Sequence, residues 1–308
     1  MKDEQPKKRL WTMVWILLIL LVFSVLIAAV FTGIGSQDTN YNTAIIGING
    51  EITSDDSGSF FAGASASSPT VIAELERART DPQVKAIILE INSPGGSPVA
   101  TDEISEEIKD IRNNNITVVA WIREEGASGA YWISTASEHI IANRMSIVGS
   151  IGVTGSYIEW YGLMNRYNVT YKRLVAGEFK DTGTPYRPMS SAEEAMLQSK
   201  LDKLHEYFIS AVAANRHMSV AKVRDLATGE IFLGVEAKEN GLIDELGGKR
   251  EAEAYLAKRL NTTITTREFV PDKGFFERLM SAMNQNSFFM GEGIASAVLK
   301  QNALKIQT

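Results

Sequence analysis

Two strand-to-helix turns hold the residues best suited to chemistry. In Asn92-Ser93-Pro94-Gly95-Gly96-Ser97 an apolar strand ends in a Pro-Gly-Gly turn that opens a helix. In Glu124-Glu125-Gly126-Ala127-Ser128-Gly129-Ala130-Tyr131-Trp132 a second strand runs into small residues around one serine. Such positions, outside the carboxyl ends of sheet strands, are where α/β proteins bind ligands. Taken singly, neither turn is specific: a left-handed turn accounts for two glycines, and a serine before a helix is most often an N-cap. Together they say more. If both strands belong to one sheet, the amides of Gly96 and Gly129 can converge beside the Ser128 hydroxyl, an oxyanion hole next to a nucleophile.

A serine hydroxyl needs a base before it can attack an amide. The three histidines are poorly placed for this: His139 reads as a strand residue, and His205 and His217 as surface positions of a long helical stretch. A lysine can serve if desolvation strips its proton. Lys180 is one candidate, in the turn-rich Ala176-Gly177-Glu178-Phe179-Lys180-Asp181-Thr182-Gly183 after an expected strand Val169–Val175. Loop lysines are ordinarily solvated, so spacing alone leaves the base open.

The elements that must position these groups alternate along the chain. TAIIGING (43–50) is a β-branched run bounded by turn residues and predicts a strand. A helix is expected over Thr70–Thr80, a fully apolar strand over Val84–Ile91, a helix over Val99–Asn113, a strand over Thr117–Ile122, and a helix opening near Ser128. Apolar strands alternating with helices predict an α/β fold, with a mostly parallel sheet covered on both faces. The stretch Ser190–Gly248 reads as mostly helical with a short βα unit at its end, and 291–304 as an amphipathic helix. The Ser/Gly/Ala-rich segment Thr53–Ser68 reads as mobile.

The 308 residues are enough for one large domain or two ordinary ones. Without cysteine, the chain can form no disulfide, thiolate metal site, cysteine nucleophile or lipoprotein anchor. Residues Trp11–Thr32 carry no charge, glycine or proline over 22 positions, a helix of about 33 Å and so the thickness of one bilayer core. Lys2, Lys7, Lys8 and Arg9 precede this run, and the next basic residue is Arg77. The expectation is an uncleaved signal anchor at 10–33, a cytoplasmic N-terminus at 1–9, and everything beyond outside the cytoplasm. The whole chain carries 37 acidic against 31 basic residues, and without 1–33 the counts are 35 against 27, a net charge of −8. Nucleic acid is a poor partner for such a surface.

Five ordered motifs carry a resemblance. They are Asn92-Ser93-Pro94-Gly95-Gly96, Ala127-Ser128-Gly129-Ala130-Tyr131, Gly149-Ser150-Ile151-Gly152-Val153, Gly177-Glu178-Phe179-Lys180-Asp181 continued by Tyr186-Arg187-Pro188-Met189, and the run from Gly229 to Gly248. In order and spacing over about residues 43–268 the chain resembles the signal peptide peptidase A (SppA) family. The resemblance implies a ClpP/crotonase-like α/β spiral of ββα units behind one transmembrane helix. It makes 34–42 a linker, 43–268 a peptidase domain and 269–308 a helical extension. By motif, Ser128 corresponds to the nucleophile, Lys180 to the general base and Ser150 to a hydroxyl that orients the lysine amine, with Gly96 and Gly129 binding the oxyanion. The implied activity is hydrolysis of remnant signal peptides at the cell membrane by a Ser-Lys dyad that needs no metal or nucleotide cofactor. In short members of that family the lysine comes from a neighbouring protomer, so a homo-oligomeric ring is implied.

The chain departs from the pattern at Ala130, where a second glycine is usual, and at Arg123-Glu124-Glu125, which put charge close to the serine. It also has about half the length of the duplicated members. Two other readings compete: a membrane-bound ClpP-like protease of specific membrane proteins, akin to the stomatin-operon proteases, and an inactive peptide-binding scaffold. A crotonase-like acyl-CoA site would leave Ser128 and Lys180 unexplained.

Overall fold

A computed structural model describes residues 11, 14–22, 24, 40–55 and 65–270. Asn40–Val270 forms one compact unit. It begins with β1 (Thr43–Asn49), β2 (Glu51–Thr53), β3 (Ser65–Ser67), α1 (Ser68–Thr80), β4 (Ala86–Ser93), α2 (Pro98–Asn113), β5 (Thr117–Ala127) and α3 (Gly129–Thr135). It continues with β6 (His139–Ala142), β7 (Ile147–Gly149), α4 (Tyr161–Arg166), α5 (Ser191–Asn215), α6 (Val220–Leu226), β8 (Ile231–Leu233), α7 (Gly234–Asn240), β9 (Glu245–Leu246), α8 (Lys249–Leu260) and β10 (Thr266–Phe269).

The main sheet runs β10-β1-β4-β5-β6-β9, and every ladder along it is parallel. Successive side chains of a strand face opposite sides of its sheet, and the apolar strands use both. Ile46, Ile87, Leu89, Val118, Ala120 and Ile140 enter the larger core, which also takes in side chains of α1, α2, α3 and α5. Their neighbours Ile45, Ile88, Val119 and Ile141 enter a second core with Ala252 and Leu256 of α8. Continuous apolar runs such as Ile87-Ile88-Leu89 are therefore what a sheet covered on both faces requires.

The helix starts are written locally. Ser67 accepts a hydrogen bond from the Thr70 amide and Ser97 from the Ala100 amide, each with a proline in the first turn behind it. Ser190 and Glu193 form a capping box at the start of α5.

β5 is longer than the run Thr117–Ile122 suggests. Its first half pairs with β6 through Val119–Ile122, and its second half, Glu125–Ala127, leaves β6 and pairs with β7. The polar residues Arg123-Glu124-Glu125 thus lie within the strand. β7 in turn pairs antiparallel with β8. Beside the sheet, β2 and β3 make a small parallel pair, so the end of the segment expected to be mobile, Ser65–Ser67, is ordered by a ladder. The expected strand at 169–175 does not form: among the described residues the segment pairs with no strand, and its β-branched and aromatic side chains are exposed. A β-favouring composition cannot make a strand where no edge lies alongside.

The expected anchor over 10–33, the middle of the segment expected to be mobile (56–64) and the expected helix at 291–304 lie wholly or largely outside the described residues. Of the anchor, residues 11, 14–22 and 24 are helical and exposed. Among the described residues no helix is long and apolar enough to cross a membrane.

Candidate active site

The two turns meet as their spacing predicts. β4 and β5 are adjacent in the sheet, with Ser93 opposite Gly126. The Pro-Gly-Gly turn is held from its far side by β2: the Ile52 amide donates to the Gly95 carbonyl (2.9 Å) and the Ser97 amide to the Ile52 carbonyl (2.8 Å). Amides alternate in direction along an extended chain, so the Gly96 amide between these bonds is turned away from β2. A side chain at either glycine would break this packing. A Cβ on Gly96 would stand 2.1 Å from the Ile52 oxygen, and one on Gly95, at φ 98°, would stand 2.7 Å from the Gly129 nitrogen and 2.8 Å from the Ser128 Cβ. The Gly96 nitrogen, in turn, is 3.5 Å from where a Cβ on Gly129 would sit.

Gly129 opens α3, so its amide is among those a helix leaves without an internal partner. Ser128 holds the N-cap position but makes no side-chain cap hydrogen bond. Its backbone is at φ 51°, ψ −124°, a region that non-glycine residues occupy only when their surroundings impose it. Two backbone bonds do so: the Ser128 amide donates to the Gly149 carbonyl (2.8 Å), and the Ser128 carbonyl accepts from the Trp132 amide (3.0 Å). An ordinary N-cap serine has extended backbone and spends its hydroxyl on the helix; this one does neither. A strained serine on a sharp strand-to-helix turn is the geometry that presents a hydroxyl to a substrate.

Ser150 leaves the neighbouring strand in the same way. Ala127 pairs with Gly149, so Ser128 and Ser150 are the next residues on two adjacent strands, and both have positive φ (51° and 49°). The Ser150 amide donates to the Glu230 carbonyl (2.8 Å).

A cavity of about 420 Å³ lies over these turns, and Gly96, Ser128, Gly129 and Ser150 all line it. Its walls include Trp132 of α3 with Leu204, His205 and Phe208 of α5. The Trp132 and Phe208 rings stack at 5.0 Å. His205 is therefore not the surface residue expected from sequence. It lines the cavity, and its buried Nε2 and the buried Trp132 Nε1 have no hydrogen-bond partner. The signal for this was the stripe Leu201, Leu204, Phe208 and Val212, which marks the inward face of α5 and brings His205 to its border.

The other histidines stay apart from the cavity. His139 is a strand residue, as expected, stacked on Tyr255 at 3.9 Å and 3.3 Å from a Glu245 carboxylate oxygen. His217 is exposed after the end of α5. Lys180 does not line the cavity either; it lies on an exposed turn, its amide bonded to the Gly177 carbonyl (3.2 Å).

Within one chain, then, the fold brings together a strained serine, two unpaired amides, a second serine and a side-chain cavity. This is an α/β protein with the arrangement of a hydrolase that works by acyl transfer. The family model "Peptidase family S49" matches residues 110–263. A candidate protease of Methanocaldococcus jannaschii is 32% identical over 227 residues, which cover 73% of this chain and 70% of that protein. A candidate signal peptide peptidase SppA of Enterococcus faecium is 31% identical over 74% of this chain and 66% of its own length. Protease 4 of Haemophilus influenzae is 31% identical over 72% of this chain, but that match covers only 36% of the relative. The chain belongs to peptidase family S49, and its class of activity is peptide-bond hydrolysis.

Proposed function

We propose that the protein is a membrane-anchored serine endopeptidase of the signal peptide peptidase type, in which Ser128 is the nucleophile and Lys180 of a neighbouring copy is the general base. The observation that carries this reading is the strained, uncapped Ser128 at a cavity shared with Gly96 and Gly129. Neutral Lys180 accepts the Ser128 proton as Oγ attacks the scissile carbonyl. The Gly96 and Gly129 amides hold the tetrahedral oxyanion. The ammonium so formed gives its proton to the leaving amine, and water then releases the acyl-enzyme by the reverse sequence. Ser150, one strand over, orients the lysine amine.

Supply of the base from a second copy is supported by two features. Lys180 is not among the residues that line its own chain's cavity, and the segment around it carries exposed apolar side chains, among them Ile158 (69%), Tyr167 (70%) and Leu174 (95%). Patches of this kind mark contacts between molecules. The apolar cavity walls suit small or apolar side chains of an extended peptide, as in remnant signal peptides, and the uncharged run at 11–32 would hold the site at the membrane where those are released.

Cleavage of a synthetic signal-peptide fragment by the full chain in detergent tests this. Ser128→Ala and Lys180→Ala should each be silent, and an equimolar mixture of the two, dissociated and reassembled, should recover activity. Activity in Lys180→Ala alone would remove that lysine as the base. Two silent variants whose mixture stays silent would remove the shared site.

A further inference from the structure

The turn that carries Lys180 has no apolar core of its own, since every residue from 171 to 180 is exposed. Charge holds it instead. The carboxylate of Asp181, the next residue, is gripped from both sides. Arg173 donates to Oδ2 from Nε (2.8 Å) and to Oδ1 from Nη2 (2.7 Å), and Arg187 donates to Oδ1 from Nη2 (3.0 Å) and to Oδ2 from Nε (3.3 Å). Arg187 also pairs with Glu193, from Nη1 to Oε2 at 2.8 Å and from Nη2 to Oε1. Glu193 accepts from the Ser190 amide (2.9 Å) in the capping box of α5, and from the Thr182 hydroxyl (3.2 Å) on the far side of the lysine turn. Beyond this first turn, α5 supplies Leu204, His205 and Phe208 to the cavity wall.

The network balances two arginines against two carboxylates. Hydrogen bonds from Arg173 and then Arg187 hold Asp181 well below the usual carboxylate range, and Arg187 does the same for Glu193. The other charged groups nearby are Lys172 ahead of the turn, Glu178 within it and Glu194 on α5. Lys180, alone among these groups, must work as a neutral amine in the reading above. An adjacent free carboxylate would oppose that by stabilising its ammonium form. Both oxygens of Asp181 are instead committed to guanidinium groups.

We infer that Arg187 is a positioning residue for Lys180: it docks the lysine turn on the start of α5 and, with Arg173, keeps the Asp181 carboxylate from pairing with the lysine ammonium. The inference rests on Lys180 being the base. It gives Arg187 an effect that a brace alone would not have, because loss of the guanidinium unbalances the network, leaving the Asp181 and Glu193 carboxylates against Arg173 alone and so adding net negative charge next to the turn that carries the base. The ascending limb of the pH profile of kcat/KM should then move to higher pH.

The test is that profile for the full chain in detergent on a synthetic signal-peptide fragment. Arg187→Gln should shift the ascending limb upward by about one pH unit, roughly a tenfold loss near neutrality that disappears at high pH. Adding Asp181→Asn should move the limb back. Arg173→Gln, which releases the same carboxylate from its other side, should shift it in the same direction and carries the test if Arg187→Gln does not fold. A loss equal at every pH, or a shift that Asp181→Asn leaves in place, would overturn the inference while a silent Lys180→Ala left the base assignment standing. Activity in Lys180→Ala would overturn both.

Discussion

Ser128 and Lys180 lie in parts of the chain that are held by different forces. Ser128 follows a central strand, and the side chains behind it, Ala130, Tyr131, Ile133 and Ile122, are fully buried. Its unfavourable backbone is sustained by bonds to β7 and α3. Lys180 lies in a stretch, residues 154–180, whose side chains are almost all exposed and whose fixed points are ion pairs and a few turn hydrogen bonds. A buried frame can store strain of about 1–3 kcal/mol at a residue because many contacts over-determine it. An exposed arm cannot, and its geometry is completed by whatever covers it. On the function proposed above, the serine half of the site would thus be finished by folding, and the lysine half would wait on assembly.

The sharpest way to break this contrast is at the buried half. Gly95→Ala would drive a methyl against the Gly129 nitrogen and the Ser128 Cβ at a positive φ, and so part the two turns. Loss of one aligned oxyanion donor costs roughly 10²–10³-fold in kcat. The rate of Ser128 labelling by a fluorophosphonate should fall with kcat; labelling at the normal rate would mean that the turns tolerate separation.

The frame itself should respond to cavities. Leu75 of α1 is fully buried, and Leu75→Ala should cost about 3 kcal/mol of unfolding free energy in a denaturant titration. Next to it, burial pushes Glu74 up to about 7, and its Oε1 has no hydrogen-bond partner. A carboxyl whose folded pKa is raised stabilises the fold fully below its unfolded value and loses that contribution as pH rises through the folded one. Between about pH 4.5 and pH 7 the wild type should therefore lose on the order of 2 kcal/mol that Glu74→Gln does not lose. Parallel stability curves for the two proteins would show that Glu74 ionises without cost.

The buried half was also the half legible in the sequence. Continuous apolar runs mark strands covered on both faces, Ser and Pro mark the helix starts, and paired Gly-rich turns after adjacent strands mark Gly96, Ser128 and Gly129. Ser150 came only through resemblance, since nothing in Gly149-Ser150-Ile151 shows that β7 takes over from β6 as the neighbour of β5. That exchange depends on the tertiary path of the strands. Val169–Val175 misled for a related reason: its composition favours a strand, but the edge that would make it one is not supplied among the described residues. His205 was missed because one polar residue at the border of an apolar stripe looks solvated until α3 is placed against it.

Two leucines bring the contrast to its smallest effect. Leu174 is 95% exposed, whereas Leu75 is fully buried. Truncating a side chain that folding leaves in water removes no intramolecular contact, so Leu174→Ala should change the unfolding free energy of the separated chain by no more than about 0.5 kcal/mol. Its effect should appear only where molecules meet. If a second copy covers the arm, sedimentation velocity on the detergent-solubilised protein will show Leu174→Ala dissociating at concentrations where the wild type stays assembled. Peptidase activity will then fall with dilution more steeply than in the wild type. Should Leu174→Ala instead destabilise the separated chain as much as Leu75→Ala does, the arm would be part of the folded frame. The division between a half completed by folding and a half completed by assembly would then fail.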